Sequence, residues 1–574
     1  KPVNILQVAM SKCILNVYFC SVEHFKIRKT QAVVQEITAE NSSKKYVLEI
    51  WRTHQLWRSF DLTALDVHGD IYYDRNFGCL EWSPCEKKLL FVAEAKKPKA
   101  EPFFKSKSGS KESESKPGEP KPLKGEEYVY REEWGEQLVG KHQSCLVVCD
   151  IESESISVCP GVPPEYCPGS AVWSPEGHIV GVCVQSTPRR LGLVYCSNRP
   201  SFIFQLTLDG SFKIISNKKM SAMSPRFSPD GKILVYLERV PTGAHRACMQ
   251  IIKYHWPSGN VKSGSLNQLV SNEKGSVQVL DVDEDVVVCA KSSFAVPFSL
   301  IVSHLSFDGI TLWTPLTDWC QDASPSNLVV KYMSLTAPNS EEVSKYLTLF
   351  FIKGLIRLKL PNCFFFFLGF ATLFPNYRGS TGQGQASVDY LLGKVGDTDV
   401  KDVHQATCEA LKTFPCLNQN AVVLSGGSHG GFLVAHLSAQ YPNFYKAVVS
   451  RNPALELSSM FMTSDIPDWC TTEAGFLYKG YTGDNAVWEK MRNVSPMKLV
   501  DKICAPTLFL IGKNDLRVPP SQGTALYHAL RERNVETKMH VYADNHALFT
   551  IPVELDSCIN AALWLIQHIE ELQS

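Results

Sequence analysis

The chain has 574 residues, 44% hydrophobic and 20% charged, with 58 basic and 58 acidic side chains. That length calls for at least two domains, and the composition is that of an ordinary globular protein. The balance of charge removes any global electrostatic case for nucleic acid or an anionic membrane as partner.

The chain opens on Lys1 rather than Met, as a fragment or a processed chain would. Val3 to Cys20 is fairly apolar, but Asn4, Gln7, Lys12 and Asn16 interrupt it, so a buried strand or helix is expected rather than a signal peptide. A small signature then recurs. Trp82-Ser-Pro84 precedes the strand-like Lys88–Ala93, Trp173-Ser-Pro-Glu-Gly177 precedes Ile179–Val184, and Phe227-Ser-Pro-Asp-Gly231 precedes Ile233–Leu237. An aromatic, a Ser-Pro turn and a β-rich run repeated at intervals of 91 and 54 residues predict β-propeller blades. The longer interval holds either two blades or one blade with an insertion. Lys96 to Glu127 is rich in Lys, Glu, Ser and Pro and predicts a solvated, disordered insertion. From about 245 to 365 no organisation is legible. The apolar Leu349–Phe374 region is broken by Lys353, Arg357, Lys359 and Pro361, so it does not read as a membrane span.

From about residue 365 apolar strands alternate with helical segments, which predicts a mostly parallel sheet covered on both faces. Expected strands are Phe367–Phe374, Ala421–Leu424, Lys446–Val449, Thr507–Ile511 and Lys538–Tyr542. Expected helices are Val400–Thr413, Gly430–Gln440, Gln522–Arg533 and Asp556–Leu572. Between a strand and a helix stands Gly426-Gly-Ser428-His-Gly430, the Gly-x-Ser-x-Gly of a nucleophile elbow. Its glycines are expected to sit where a Cβ would clash.

The α/β-hydrolase order is Ser, then acid, then His, each at the end of a strand. Asp515 follows the strand Thr507–Ile511, and His546 follows Lys538–Tyr542. A serine hydroxyl needs a base to become a nucleophile. His546 would take the Ser428 proton and Asp515 would hold the imidazole. The backbone N–H of His429 would be the first oxyanion donor. Asp544, two residues before His546, is the competing acid and reads as a turn residue. The 19 cysteines are scattered with no Cys-x-x-Cys pair, which predicts reduced thiols in a cytoplasmic protein and gives no metal site. No cofactor is expected.

These residues resemble the acylaminoacyl-peptidases of the prolyl oligopeptidase family of serine peptidases. Beyond the elbow, the resemblance is carried by Asn376-Tyr-Arg-Gly-Ser-Thr-Gly382, Arg451-Asn-Pro453, Asp465-Ile-Pro-Asp-Trp-Cys470, Asp515-Leu-Arg517-Val-Pro519 and His546-Ala-Leu548. In the first half it is carried by Phe77-Gly-Cys-Leu80 and Trp134-Gly-Glu136. It implies an N-terminal β-propeller over residues 1–330 and a C-terminal α/β-hydrolase over 331–574. The implied reaction releases an N-acylated amino acid from a short blocked peptide, in a protein that is often oligomeric. It also implies that Arg517 lies near the substrate's acyl carbonyl, with a structural salt bridge as the alternative. The family's His-Gly-Gly-Pro oxyanion segment has no counterpart between His304 and His404. The stretch Lys345–Phe367 in its place reads as foreign, and the propeller reads as incomplete. A catalytically silent binding scaffold and a dipeptidyl- or oligopeptidase are the alternatives.

Overall fold

The structure, a computed structural model, describes residues 30–38, 44–52, 54–104, 122–241, 243–245, 249–259, 261–265, 276–283, 286–292, 299–306, 309–310, 314–315, 329–336, 345–352, 365, 368–380 and 385–570. The segment Val3–Cys20, the heart of the Lys/Glu-rich insertion (105–121) and most of the second half of the apolar stretch (353–364 and 366–367) lie outside them.

The first half is built from antiparallel meanders of consecutive strands. Thr30–Thr38, Lys44–Arg52 and Gln55–Asp61 form a three-stranded sheet. Four-stranded units follow: Leu80–Trp82, Lys88–Glu94, Ser144–Asp150 and Ser155–Val158, and then Tyr166–Trp173, Ile179–Gln185, Ser201–Leu206 and Phe212–Ile214. Ser221–Phe227, Ile233–Arg239, Gln250–His255 and Val261–Ser265 form the next, joined to the one before by a single parallel bridge, Ser201 to Ser221, in one eight-stranded sheet. A further sheet starts at Ser276–Asp283, inside the region without legible organisation. Such four-stranded meanders are the units of a propeller. Leu90, Val148, Val180, Phe204 and Leu234, from three successive units, share one core.

The recurring Ser-Pro signature is the turn between the first two strands of three units. In each, the serine hydroxyl accepts a backbone N–H across the turn: Lys88 at 3.0 Å, His178 at 3.1 Å and Ile233 at 3.0 Å. The residue that turns the chain has positive φ, namely Glu86, Gly177 and Gly231. The 91-residue interval is one blade with an insertion, because Lys88–Glu94 pairs directly with Ser144–Asp150. The described flanks of that insertion are ordered where disorder was expected. Ala100–Glu101 pairs in parallel with Leu123–Lys124.

In the second half, Leu424–Gly427, Val448–Arg451, Thr507–Gly512 and Thr537–Tyr542 form a parallel sheet in chain order. The helix His429–Gln440 returns from the first strand and is buried from Gly431 to Ala439, as expected of a helix hydrophobic all round. The helices Thr398–Thr413, Ser521–Glu532 and Ile551–Glu570 complete the layers. Lys345–Ile352, the start of the stretch expected to be foreign, is the central strand of an antiparallel sheet between Val329–Thr336 and Thr372–Pro375. That sheet spans the expected domain boundary at residue 330.

Candidate active site

The strand before Ser428 is Leu424–Gly427, three residues later than the sequence suggested. Pairing begins where Leu424 meets Val448 and runs on through Gly426 and Gly427. Ser428 then adopts φ 58° and ψ −119°, a strained conformation for a residue with a Cβ. Its N–H donates to the Arg451 carbonyl at 2.9 Å, and its carbonyl accepts from Phe432 at 3.1 Å. The turn is therefore anchored on both sides.

Crowding explains two of the glycines and not a third. A Cβ at Gly426 would meet the Gly430 carbonyl oxygen at 2.2 Å, and one at Gly431 would meet Pro453 at 2.5 Å. At Gly430 it would meet nothing within 4 Å, contrary to expectation. His429 opens the helix, so its N–H belongs to the first turn, which has no intrahelical acceptor.

Asp515 lies in the loop after Thr507–Gly512 and is buried. Its Oδ1 accepts the N–H groups of Arg517 at 2.9 Å and Val518 at 2.7 Å. Its Oδ2 faces His546 Nδ1 at 2.6 Å. One oxygen is thus fixed by the backbone and the other is aimed at the imidazole. Asp544 is a turn residue, accepting from Asn545 N–H and from the N–H and hydroxyl of Thr550. The loops bring Asp515 and His546 together. Among the described residues Ser428 Oγ makes no hydrogen bond to His546, and such contacts often tighten only when substrate binds.

Arg517 is buried, and its guanidinium forks onto Asp465, Nε to Oδ1 at 2.8 Å and Nη2 to Oδ2 at 3.1 Å. Burial alone would lower its pKa, but the Asp465 charge and hydrogen bonds raise it.

Among the residues around this frame, Glu136, Tyr377 and Arg378 stand out in the sequence only through the family resemblance, and Asp399 and Asp402 not at all. Glu136, from the first half, accepts the N–H groups of His546 at 3.0 Å and Leu516 at 3.1 Å, and so ties the two loops together. Burial pushes its carboxyl pKa up, opposed by those two hydrogen bonds. The Glu136 N–H donates in turn to Asp465 at 3.0 Å. The His429 side chain pairs through Nδ1 with the Tyr377 hydroxyl at 2.9 Å, and its Nε2 lies 3.4 Å from the buried Asp399 carboxylate. Arg378, beside Tyr377, forks onto buried Asp402 and fixes the strand-end segment.

Residues 29–269 match the family described as acylamino-acid-releasing enzyme, N-terminal domain, and residues 361–552 match the prolyl oligopeptidase family. The Mus musculus acylamino-acid-releasing enzyme is 35% identical over 621 residues, covering 92% of this chain and 85% of its own. The Homo sapiens enzyme of that name is 34% identical, covering 92% and 84%.

The chain belongs to the acylamino-acid-releasing enzyme family.

It is a serine hydrolase of the acylaminoacyl-peptidase type within the prolyl oligopeptidase family. The fold agrees. A solved acylaminoacyl peptidase of Pyrococcus horikoshii superposes with a TM-score of 0.64 at 15% identity, covering 96% of this chain and 95% of that one. An acylaminoacyl peptidase in complex with Z-Gly-Gly-Phe-chloromethyl ketone gives 0.56 at 14% identity, covering 95% and 94%. The architecture is an N-terminal propeller domain followed by a C-terminal hydrolase domain. Among the described residues, no helix is long and apolar enough to cross a membrane.

Proposed function

We propose that the chain is a serine exopeptidase that releases an N-acylated, foremost N-acetylated, amino acid from the blocked N-terminus of short peptides. The observation that carries the reading is the Asp515–His546 contact at 2.6 Å on two loops at the same sheet end as the Ser428 elbow. With Nδ1 donating to Asp515, His546 Nε2 is left to accept. His546 takes the Ser428 hydroxyl proton as Oγ attacks the scissile carbonyl. The oxyanion that forms is held by the His429 N–H. The imidazolium passes its proton to the leaving amine, and an acyl-enzyme remains. Water, deprotonated by His546, then displaces Ser428 Oγ and frees the acylated amino acid.

Arg517 supports the acyl carbonyl while Asp465 holds the guanidinium in place. The propeller spans 1–330 and the hydrolase 331–574. The propeller is incomplete, and the family's second oxyanion segment is replaced. The protein is cytoplasmic and assembles from copies of itself.

A fluorophosphonate probe, applied to the protein and to Ser428→Ala, tests the reading together with turnover of an acetylated aminoacyl coumarin amide. Ser428-dependent labelling with turnover is the expected result. Absence of labelling would leave the binding-scaffold alternative. Labelling without turnover would place a defect in the replaced oxyanion segment, where loss of one donor costs about 2.7–4 kcal/mol.

A further inference from the structure

Two arginines stand by the site, and among the described residues only one has a counter-ion. Arg517 forks onto Asp465. Arg451 ends the strand Val448–Arg451, in register with Gly427, the residue before Ser428. Its backbone is locked to the site. Its carbonyl accepts the Ser428 N–H at 2.9 Å, and the next residue, Asn452, donates through Nδ2 to the His546 carbonyl at 2.9 Å. Its guanidinium lies against Gly427, where a Cβ would come within 2.9 Å of Nε and 3.1 Å of Nη2. Among the described residues no group hydrogen-bonds that guanidinium or pairs with it. It is half-buried, yet none of its nitrogens is sealed from solvent. Burial lowers its pKa, and Cys558, Glu554 and Tyr195 oppose that through space. Tyr195 is an exposed residue of the first half, so groups of both halves face the guanidinium. An arginine stays charged across the ordinary pH range. A half-buried cation without a partner has given up hydration for nothing, and a carboxylate that offers it two oxygens recovers that loss. An N-acylated peptide carries one obligatory charge. Acylation removes that of the amino end, and the C-terminal carboxylate remains.

We propose that Arg451 receives the C-terminal carboxylate of the leaving peptide, so that the protein selects short acylated peptides with a free carboxylate end. The inference rests on the exopeptidase reading above. That reading gives the acyl side to Arg517, which leaves Arg451 for the departing side. Its place beside Gly427 limits its reach. Each added residue carries the carboxylate about 3.3–3.6 Å farther from the scissile bond in an extended chain, so leaving groups of about one or two residues fit and longer ones overshoot. Glu554, on the helix Ile551–Glu570, competes for the same cation. A hydrogen bond between charged groups is worth about 10- to 100-fold in binding, and the half-exposed setting places this one at the lower end.

The test measures release of N-acetyl-alanine from N-acetyl-dialanine, N-acetyl-trialanine and N-acetyl-pentaalanine, each as the free acid and as the C-terminal amide. The acid should exceed the amide by about 10-fold in kcat/KM for the two short peptides, and by less than about 2-fold for the longest. Arg451→Met should bring the short-peptide acid-to-amide ratio to about 1. Arg451→Lys should keep part of it as a point charge, and Glu554→Gln should raise it. The ratio compares two substrates on one protein, so a general weakening of the Ser428 anchor would not move it. Where the protein labels without turnover, protection of Ser428 from the fluorophosphonate probe by acid and by amide gives the same ratio. A ratio near 1 in a protein that labels at Ser428 would overturn the inference and leave the exopeptidase reading standing. So would a ratio unmoved by Arg451→Met. If Arg451→Met does not fold, the ratio of the unaltered protein and its rise in Glu554→Gln decide. No Ser428-dependent labelling overturns both.

Discussion

Replacing Asp515 by Asn tests the catalytic frame with the smallest change of shape. The carboxylate has two distinct tasks. Oδ1 accepts two backbone N–H groups, from Arg517 and Val518, and Oδ2 faces His546 Nδ1. An asparagine must give its one oxygen to one side. Turning the NH2 toward two buried N–H donors would leave both unpaired, at about 1–3 kcal/mol each. The amide oxygen therefore stays on the backbone, and the NH2 faces Nδ1. That forces the imidazole proton onto Nε2, where it cannot accept from Ser428. A wrong tautomer of this kind lowers turnover about 10⁴-fold, or about 5 kcal/mol in the barrier. The assay is kcat/KM on an acetylated aminoacyl coumarin amide, with the fluorophosphonate labelling rate beside it and a thermal melt to show that the fold persists. Retention of more than about one-tenth of the activity would refute Asp515 as the orienting acid.

Three further outcomes follow from the packing. Arg199→Met strands the buried Asp468 carboxylate and the Gly192 carbonyl that Arg199 also binds, so urea or thermal unfolding should show a loss of about 3–5 kcal/mol, most of it recovered by adding Asp468→Leu. Gly426→Ala should abolish Ser428 labelling because its Cβ meets the Gly430 carbonyl at 2.2 Å, whereas Gly430→Ala, with open space, should keep it. Burial pushes the His436 pKa down to about 4. Folding therefore favours its neutral form, and the stability it contributes is complete above about pH 6.5 and lost as pH falls toward 4. That amounts to about 3 kcal/mol, which His436→Gln should remove from the acid-unfolding profile.

The placement of the candidates at strand ends was legible because strand ends are marked locally by apolar runs that stop at Gly, Asp or Asn. The blade turns were legible for the same reason, since serine, proline and the positive-φ residue lie within five positions. The strand before Ser428 was misplaced because glycine was read as punctuation. Its pairing register is set instead by Val448–Arg451, and Gly426 and Gly427 pair within it. The supporting residues were illegible because their partners are remote. Glu136 bonds residues 329, 380 and 410 positions away, and Arg199 and Asp468 are 269 apart. Trp134-Gly-Glu136 stood out only through family resemblance. Nothing in its composition marks a carboxylate that will grip two loops of the other half.

Those remote partners converge on one short segment. Asp465, Asp468 and Glu473 each meet a cation: Arg517 from the hydrolase half, and Arg199 and His245 from the propeller half. The Asp465 carbonyl also accepts the Gly192 N–H at 2.8 Å, and its carboxylate accepts that of Glu136. A Cβ at Gly135 or Gly192 would come within 2.6 and 2.2 Å of that carboxylate, so the segments meet at backbone distance. Asp465 is therefore shared. The carboxylate that orients Arg517 also receives the N–H of Glu136, whose own carboxylate holds the Asp515 and His546 loops. Buried ion pairs give modest net stability and penalise any arrangement that leaves one partner unpaired. Their concentration here makes docking of the two halves nearly all-or-none. The bonds that complete docking are those that fix the geometry around Asp515, Arg517 and His546, so the precision of the proposed site depends on a domain that supplies none of its three proposed catalytic residues.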